Sequence, residues 1–127
     1  MINAILDTTV IIHIIRKYPP ALAYINVADY YAFTPITWFE VIVGAANKQQ
    51  REQLIYSINQ FQLCHHTEAD QNWAITQFQR FQFSHHIGYN DCLIAAVAYR
   101  LQIPLYTHNL KDMQPLLGTL AIQPYQY

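Results

Sequence analysis

A regular alternation restricts the fold of this chain more than any other feature. Short β-prone runs are followed repeatedly by stretches whose apolar residues recur at helical spacing. Strands alternating with helices make a parallel sheet, because each parallel return needs a crossover, and the helices then cover both faces. The expected fold class is α/β: a three-layer α/β/α sandwich around a central parallel sheet of four to five strands. With 127 residues, a single domain over 1–127 is expected. A domain of that size buries roughly two-thirds of its unfolded surface and needs no disulfide.

The apolar run 2–6 stops at Asp7 and suits a buried strand. Thr8 or Thr9 caps a helix to about Lys17, with Val10, Ile11, Ile14 and Ile15 inward. Pro19-Pro20 permit a second helix over 21–27, and residues 30–34 are strand-forming. Thr34-Pro35 starts a helix that carries Ile36, Phe39, Glu40 and Val43 and stops near 44–47. A polar-faced helix is expected over 49–60 and a short strand over 61–64. Thr67 caps a helix to Phe81, with Trp73, Ile75 and Phe78 facing in. Residues 83–88 read as a loop, and 91–101 as an almost wholly apolar, buried helix. A strand over 104–107, a short helical turn over 109–117 broken at Pro115, and a strand over 120–123 complete the chain.

Functional residues in such sheets gather beyond the carboxyl ends of the strands. Asp7 follows the first strand, and Glu40 lies in the helix after the second. Asp91 opens the buried helix that leads to the fourth strand, and Asn109 and Asp112 follow that strand. If strands one, two and four are neighbours, these groups share one cleft. Clustered carboxylates repel one another and lose hydration, so the arrangement calls for a compensating cation. Hard oxygen ligands favour Mg²⁺ or Mn²⁺, ions that can activate water, orient a phosphate and neutralise a leaving oxygen. Each residue also has a plainer reading. Asp7 can cap the first helix, Glu40 can be a solvated charge, and Asp91 can be a first-turn acid. Asn109 and Asp112 can be turn residues.

Four segments carry a resemblance. Leu6-Asp7-Thr8-Thr9-Val10 is followed by Thr37-Trp38-Phe39-Glu40-Val41-Ile42-Val43-Gly44. Then come Asn90-Asp91-Cys92-Leu93-Ile94-Ala95-Ala96-Val97-Ala98 and Leu105-Tyr106-Thr107-His108-Asn109-Leu110-Lys111-Asp112-Met113. In this order they resemble the motifs of the PIN-domain family, and in particular the VapC-type toxins of type II toxin–antitoxin systems. The resemblance implies a PIN-like sandwich and a metal-dependent endoribonuclease that hydrolyses RNA phosphodiester bonds. It also implies a homodimer inhibited by a VapB-like antitoxin whose tail covers the acidic cleft. Asp7, Glu40, Asp91 and Asp112 become the metal-binding acids, Asn109 falls where the family places a further site residue, and Thr107 orients a ligand or water.

Composition bears on two alternatives. The chain is 53% hydrophobic and 12% charged, with net charge −1. This argues against disorder and leaves apolar surface for a partner. Seven Lys and Arg make no basic platform for nucleic acid, which together with the neutral Asn109 keeps open a non-catalytic PIN-like module that binds RNA or protein. A structure-selective DNA nuclease of related architecture is the other alternative. Tyr89 is a candidate base contact and Lys111 a candidate phosphate contact. Trp38 and Trp73 are expected in the core. His65-His66 and His85-His86 lack zinc-site spacing, although His85 and His86 lie near the expected cleft mouth. Cys64 and Cys92 read as small buried hydrophobes in a reducing compartment. No basic leader or apolar span of about 20 residues is apparent, so a cytoplasmic, membrane-free location is expected.

Overall fold

The computed structural model describes residues 1–25 and 30–127. Five strands form one sheet: β1 (Ala4–Leu6), β2 (Tyr31–Phe33), β3 (Gln62–Leu63), β4 (Leu105–Tyr106) and β5 (Ala121–Ile122). Their order is β3-β2-β1-β4-β5, and every neighbouring pair is parallel. The first strand in sequence is therefore the central one, between β2 and β4. In register, Ile5 stands beside Ala32 and Leu105, and Leu6 beside Tyr106.

Among the described residues, seven helices connect and cover the strands: α1 (Thr8–Ile15), α2 (Pro19–Tyr24), α3 (Pro35–Ile42), α4 (Lys48–Ile58), α5 (Glu68–Phe81), α6 (Tyr89–Leu101) and α7 (Leu110–Leu117). A single 3₁₀ turn, Gly118–Leu120, leads into β5. Successive strand residues point to opposite faces, and β1 feeds two cores. Ile5 joins the α5, α6 and α7 side with Ala74, Ile94, Val97 and Leu116. Ala4 and Leu6 join the α1 to α4 side with Val10, Ile11, Phe33, Val41 and Ile58. Both faces are covered, so β1 is wholly buried and reads as a continuous apolar run. The helix α6 presents Cys92 and residues 94–98 to the first core. Each fully buried aliphatic side chain of Ile or Val size contributes roughly 1.5–3 kcal/mol.

The expected sandwich is the one observed, with local corrections. The cap of α1 is Asp7, not Thr8 or Thr9: its side chain accepts from the Thr8 amide. The helix ends at Ile15, because Lys17 turns left-handed at φ 59°. Helix α2 begins at Pro19, since the first helical positions need no amide donor. The expected continuation to Val27 lies outside the described residues. Helix α6 begins two residues before Asp91. Helix α7 runs through Pro115 to Leu117, where a break was expected. Proline removes one helical donor there, while Met113, Leu116 and Leu117 bury on the sheet side and hold the turn. Ile75, expected inside, is 58% exposed, because the buried stripe of α5 runs through Asp70, Ala74 and Phe81. Trp38 and Trp73 pack against the two cores as expected.

Candidate active site

The carboxyl ends of β2, β1 and β4 lie side by side, and each delivers polar residues to the same rim. Asp7 is fixed first. Its amide continues the ladder by donating to the Tyr106 carbonyl at 3.0 Å. Its Oδ1 accepts from the Thr8 amide at 2.8 Å and its Oδ2 from the Thr107 hydroxyl at 2.7 Å. The Thr107 oxygen in turn accepts from the Asn109 amide at 2.9 Å. Capping and membership of the acidic group are thus both properties of Asp7, one for each oxygen. Burial pushes its carboxyl above the ordinary aspartate range, and the nearby Glu40 adds to the rise against the two lowering hydrogen bonds.

Glu40 arrives on α3, whose start is fixed by Pro35 and by the Thr34 side chain accepting from the Thr37 amide. It is half-buried, with Oε1 accepting from Thr8 Oγ1 at 2.6 Å and Oε2 from Asn90 Nδ2 at 3.0 Å. Asp91, in the first turn of α6, is pushed up to about 7, first by burial and then by the charges of Asp7, Asp112 and Glu40. Asp112, in the first turn of α7, accepts from Asn109 Nδ2 at 3.2 Å. Asp91 therefore feels the charges of three other acids, and Asp7 that of Glu40. Asn109 serves them as a neutral donor, not as a further acid.

This charge has no ion-pair partner among the described residues. Among the described residues the ion pairs are Arg51–Glu52 and Arg100–Asp70, and neither involves these four acids. Nor, among the described residues, do three His, Cys, Asp or Glu side chains close on one point as a preformed ion cage. Asp7, Glu40 and Asp112 are instead each turned toward hydrogen-bond donors. The donor set fits a hard divalent ion in its chemistry, with oxygen ligands, negative charge and partial burial. Convergence onto one point is the step an ion would have to supply.

Of the residues read from the sequence, Asp7, Glu40, Asp91, Thr107, Asn109 and Asp112 belong to this connected group. Tyr89 and Lys111 are exposed beside it, with Tyr89 lining an apolar groove between α5 and α6. His66 is held by the Leu93 carbonyl at 2.8 Å, and His85 lies 2.8 Å from Ser84 Oγ. Sequence reasoning assigned no site role to Thr8, Thr37 or Asn90. The Thr8 and Thr37 hydroxyls lie 3.1 Å apart. Only their adjacency to Asp7, Glu40 and Asp91 in sequence hinted at them.

A parallel sheet whose central strand carries an acid into a ring of further acids is the signature of one class. The PIN domain model matches residues 4–111, and the chain belongs to the PIN-domain family. Within that family its relatives are VapC-type. It is similar to "Ribonuclease VapC1" of Haemophilus influenzae (strain R2866), 32% identical in an alignment of 124 positions that covers 86% of this chain and 88% of the relative. Its fold matches the VapBC-1 structure from nontypeable Haemophilus influenzae at TM-score 0.69 and 28% identity, over 91% of this chain and 92% of that one. A toxin–antitoxin complex from Klebsiella pneumoniae matches at TM-score 0.79 and 23% identity, over 98% and 99% of the two chains.

Proposed function

We propose that this chain is a VapC-type toxin: an endoribonuclease dependent on Mg²⁺ or Mn²⁺ that hydrolyses RNA phosphodiester bonds. One observation carries the reading. Asp91 lies in the field of three further acids, Asp7, Glu40 and Asp112, and no Lys or Arg among the described residues forms an ion pair with any of them. Asp7, Glu40, Asp91 and Asp112 would hold the ion. When bound, a divalent cation supplies Lewis-acid neutralisation of the phosphate charge. The protein's own groups supply orientation. Thr107 and the Thr8 amide fix the two oxygens of Asp7, while Thr8 and Asn90 fix those of Glu40. Asn109 steadies Asp112. The Asp91 carboxyl, pushed up to about 7, exchanges its proton near neutrality. Tyr89 and Lys111, exposed beside the rim, are the proposed base and phosphate contacts.

The likeness of this chain to the toxin chain of VapBC-1 supports a VapB-like antitoxin as partner. A groove lined by Ile12, Ile15, Arg16, Glu40, Val41 and Leu54 offers such a segment a mixed apolar and charged seat that includes one of the acids. A second apolar groove, between α5 and α6, fits another copy of the chain in a homodimer; it includes the exposed Ile75 and Tyr89. A cytoplasmic, single-domain protein completes the proposal. Among the described residues no helix is long and apolar enough to cross a membrane.

Purified protein incubated with structured RNA and, side by side, with flap DNA tests the reading. RNA should be cut only when Mn²⁺ or Mg²⁺ is added, and Asp7→Asn should not cut it. Wild-type protein that is inert with both ions, an Asp7→Asn variant as active as wild type, or cleavage of flap DNA alone would overturn it.

A further inference from the structure

We infer that Asn90 is the positioning residue for Glu40, and that Gly88 is a glycine because it makes room for the Asn90 amide. The inference rests on the metal-dependent site proposed above and assigns it a part of its geometry. Glu40 is the longest of the four acids, and its charge acts on both Asp7 and Asp91. Holding its long side chain in one rotamer costs conformational entropy. Two donors from different elements oppose that: Thr8 Oγ1 on Oε1 and Asn90 Nδ2 on Oε2. A carboxylate only accepts, so the nitrogen of the Asn90 amide must face Glu40 and its oxygen must face away.

That oxygen faces Gly88. A Cβ at position 88 would stand 2.5 Å from Asn90 Oδ1, closer than real contacts allow. The backbone there does not call for glycine, since φ −80° and ψ 156° are ordinary extended values. Gly88 is the N-cap of α6 and makes no side-chain cap bond. Ser, Asp or Asn would stabilise the helix start there relative to Gly. The chain forgoes that cap where a side chain would displace the Asn90 amide. The clash would fall on the tip of a side chain, so the fold can accept it and Asn90 would be the group that moves. Asn90 is also neutral. It orients Glu40 without bringing a positive charge that would compete with an ion.

Mn²⁺ titration of the full-length protein, followed by calorimetry and paired with melting curves, tests this. Asn90→Ala and Gly88→Ala should each weaken Mn²⁺ binding by about tenfold or more, as loss of a group that orients a ligand does, with little change in melting temperature. In a Glu40→Ala background, Asn90→Ala should have almost no further effect, which a merely structural role would not produce. Two results would overturn the positioning role and leave the site standing: both single variants binding like wild type while Asp7→Ala does not, or Asn90→Ala losing as much with Glu40 absent as with it present. Wild-type protein that takes up no Mn²⁺ would remove the site, and the positioning role with it.

Discussion

Asp70 and Asp7 are both buried aspartates, 2% and 7% exposed, and the molecule treats them in opposite ways. Asp70 sits in the first turn of α5. Arg100 Nε donates to its Oδ1 at 2.8 Å and the Thr67 amide to its Oδ2 at 2.9 Å, so a cation and a capping box share the carboxylate. Asp7 is equally well hydrogen-bonded, yet its charged neighbours are other acids, and burial drives its carboxyl upward. Hydrogen bonds alone therefore do not settle a buried carboxylate; a counter-charge does. Between α5 and α6 the chain provides one. At the ends of β1, β2 and β4 the described residues provide no ion pair, which is the contrast the proposed metal site requires.

The strongest way to break the contrast is Asp91→Asn, which keeps shape and removes charge. RNA cleavage should fall on the order of 10²–10³-fold, while the metal-free protein should melt higher because repulsion is relieved. Gel assays and melting curves read the two effects, and a variant that melts lower would contradict the electrostatic account. Next comes Asp70→Ala. Removing that carboxylate takes away the acceptor shared by Arg100, which still reaches solvent, and the Thr67 amide, and should cost about 2 kcal/mol in denaturant unfolding. Cleavage per folded molecule should stay unchanged.

A smaller effect is the response to pH. The Asp91 carboxyl titrates at about 7 when folded, against 3.8 for an ordinary aspartate. The folded protein thus holds that proton more tightly than the unfolded chain. The stability this contributes is fully present below pH 3.8 and is lost as pH rises through about 7. Burial lowers His13 and His108, which gives a slope of opposite sign. The Asp91 part is therefore the difference between wild type and Asp91→Asn, measured as melting temperature between about pH 5 and pH 8. Mn²⁺ should stabilise wild type most at the alkaline end, where no proton has to leave. The smallest effect expected is that of Thr67→Ala. Loss of the capping box should cost about 1 kcal/mol, seen in the unfolding midpoint and not in cleavage.

Local signals made much of this molecule legible in the sequence. The apolar run before Asp7, the Thr34-Pro35 and Thr67 helix starts and the apolar stretch after Asp91 each correspond to an observed element. What failed depended on packing. Pro115 looked like a breaker, but a buried face on Met113, Leu116 and Leu117 outweighs one lost donor. Ile75 fits an inward period by sequence, yet neighbouring α6 leaves it outside. The candidate site divides the same way. Its acids were marked by their places after strands, whereas the Asn90–Glu40 and Thr8–Glu40 bonds join residues 50 and 32 positions apart, which no local pattern encodes.

The place of β1 in the middle of the sheet has a consequence for how the protein is made. Its partner β4 and the Thr107 bond to Asp7 arrive 100 residues later, so closing that loop belongs to the slow, non-local part of folding. A nascent chain carries Asp7 and Glu40 out of the ribosome early, but they have no companions until Asp91 and Asp112 follow. For the proposed ribonuclease this acts as a built-in delay: the molecule is born blunt, beside the very RNA of the machine that makes it, and is sharpened only when synthesis of that stretch is done.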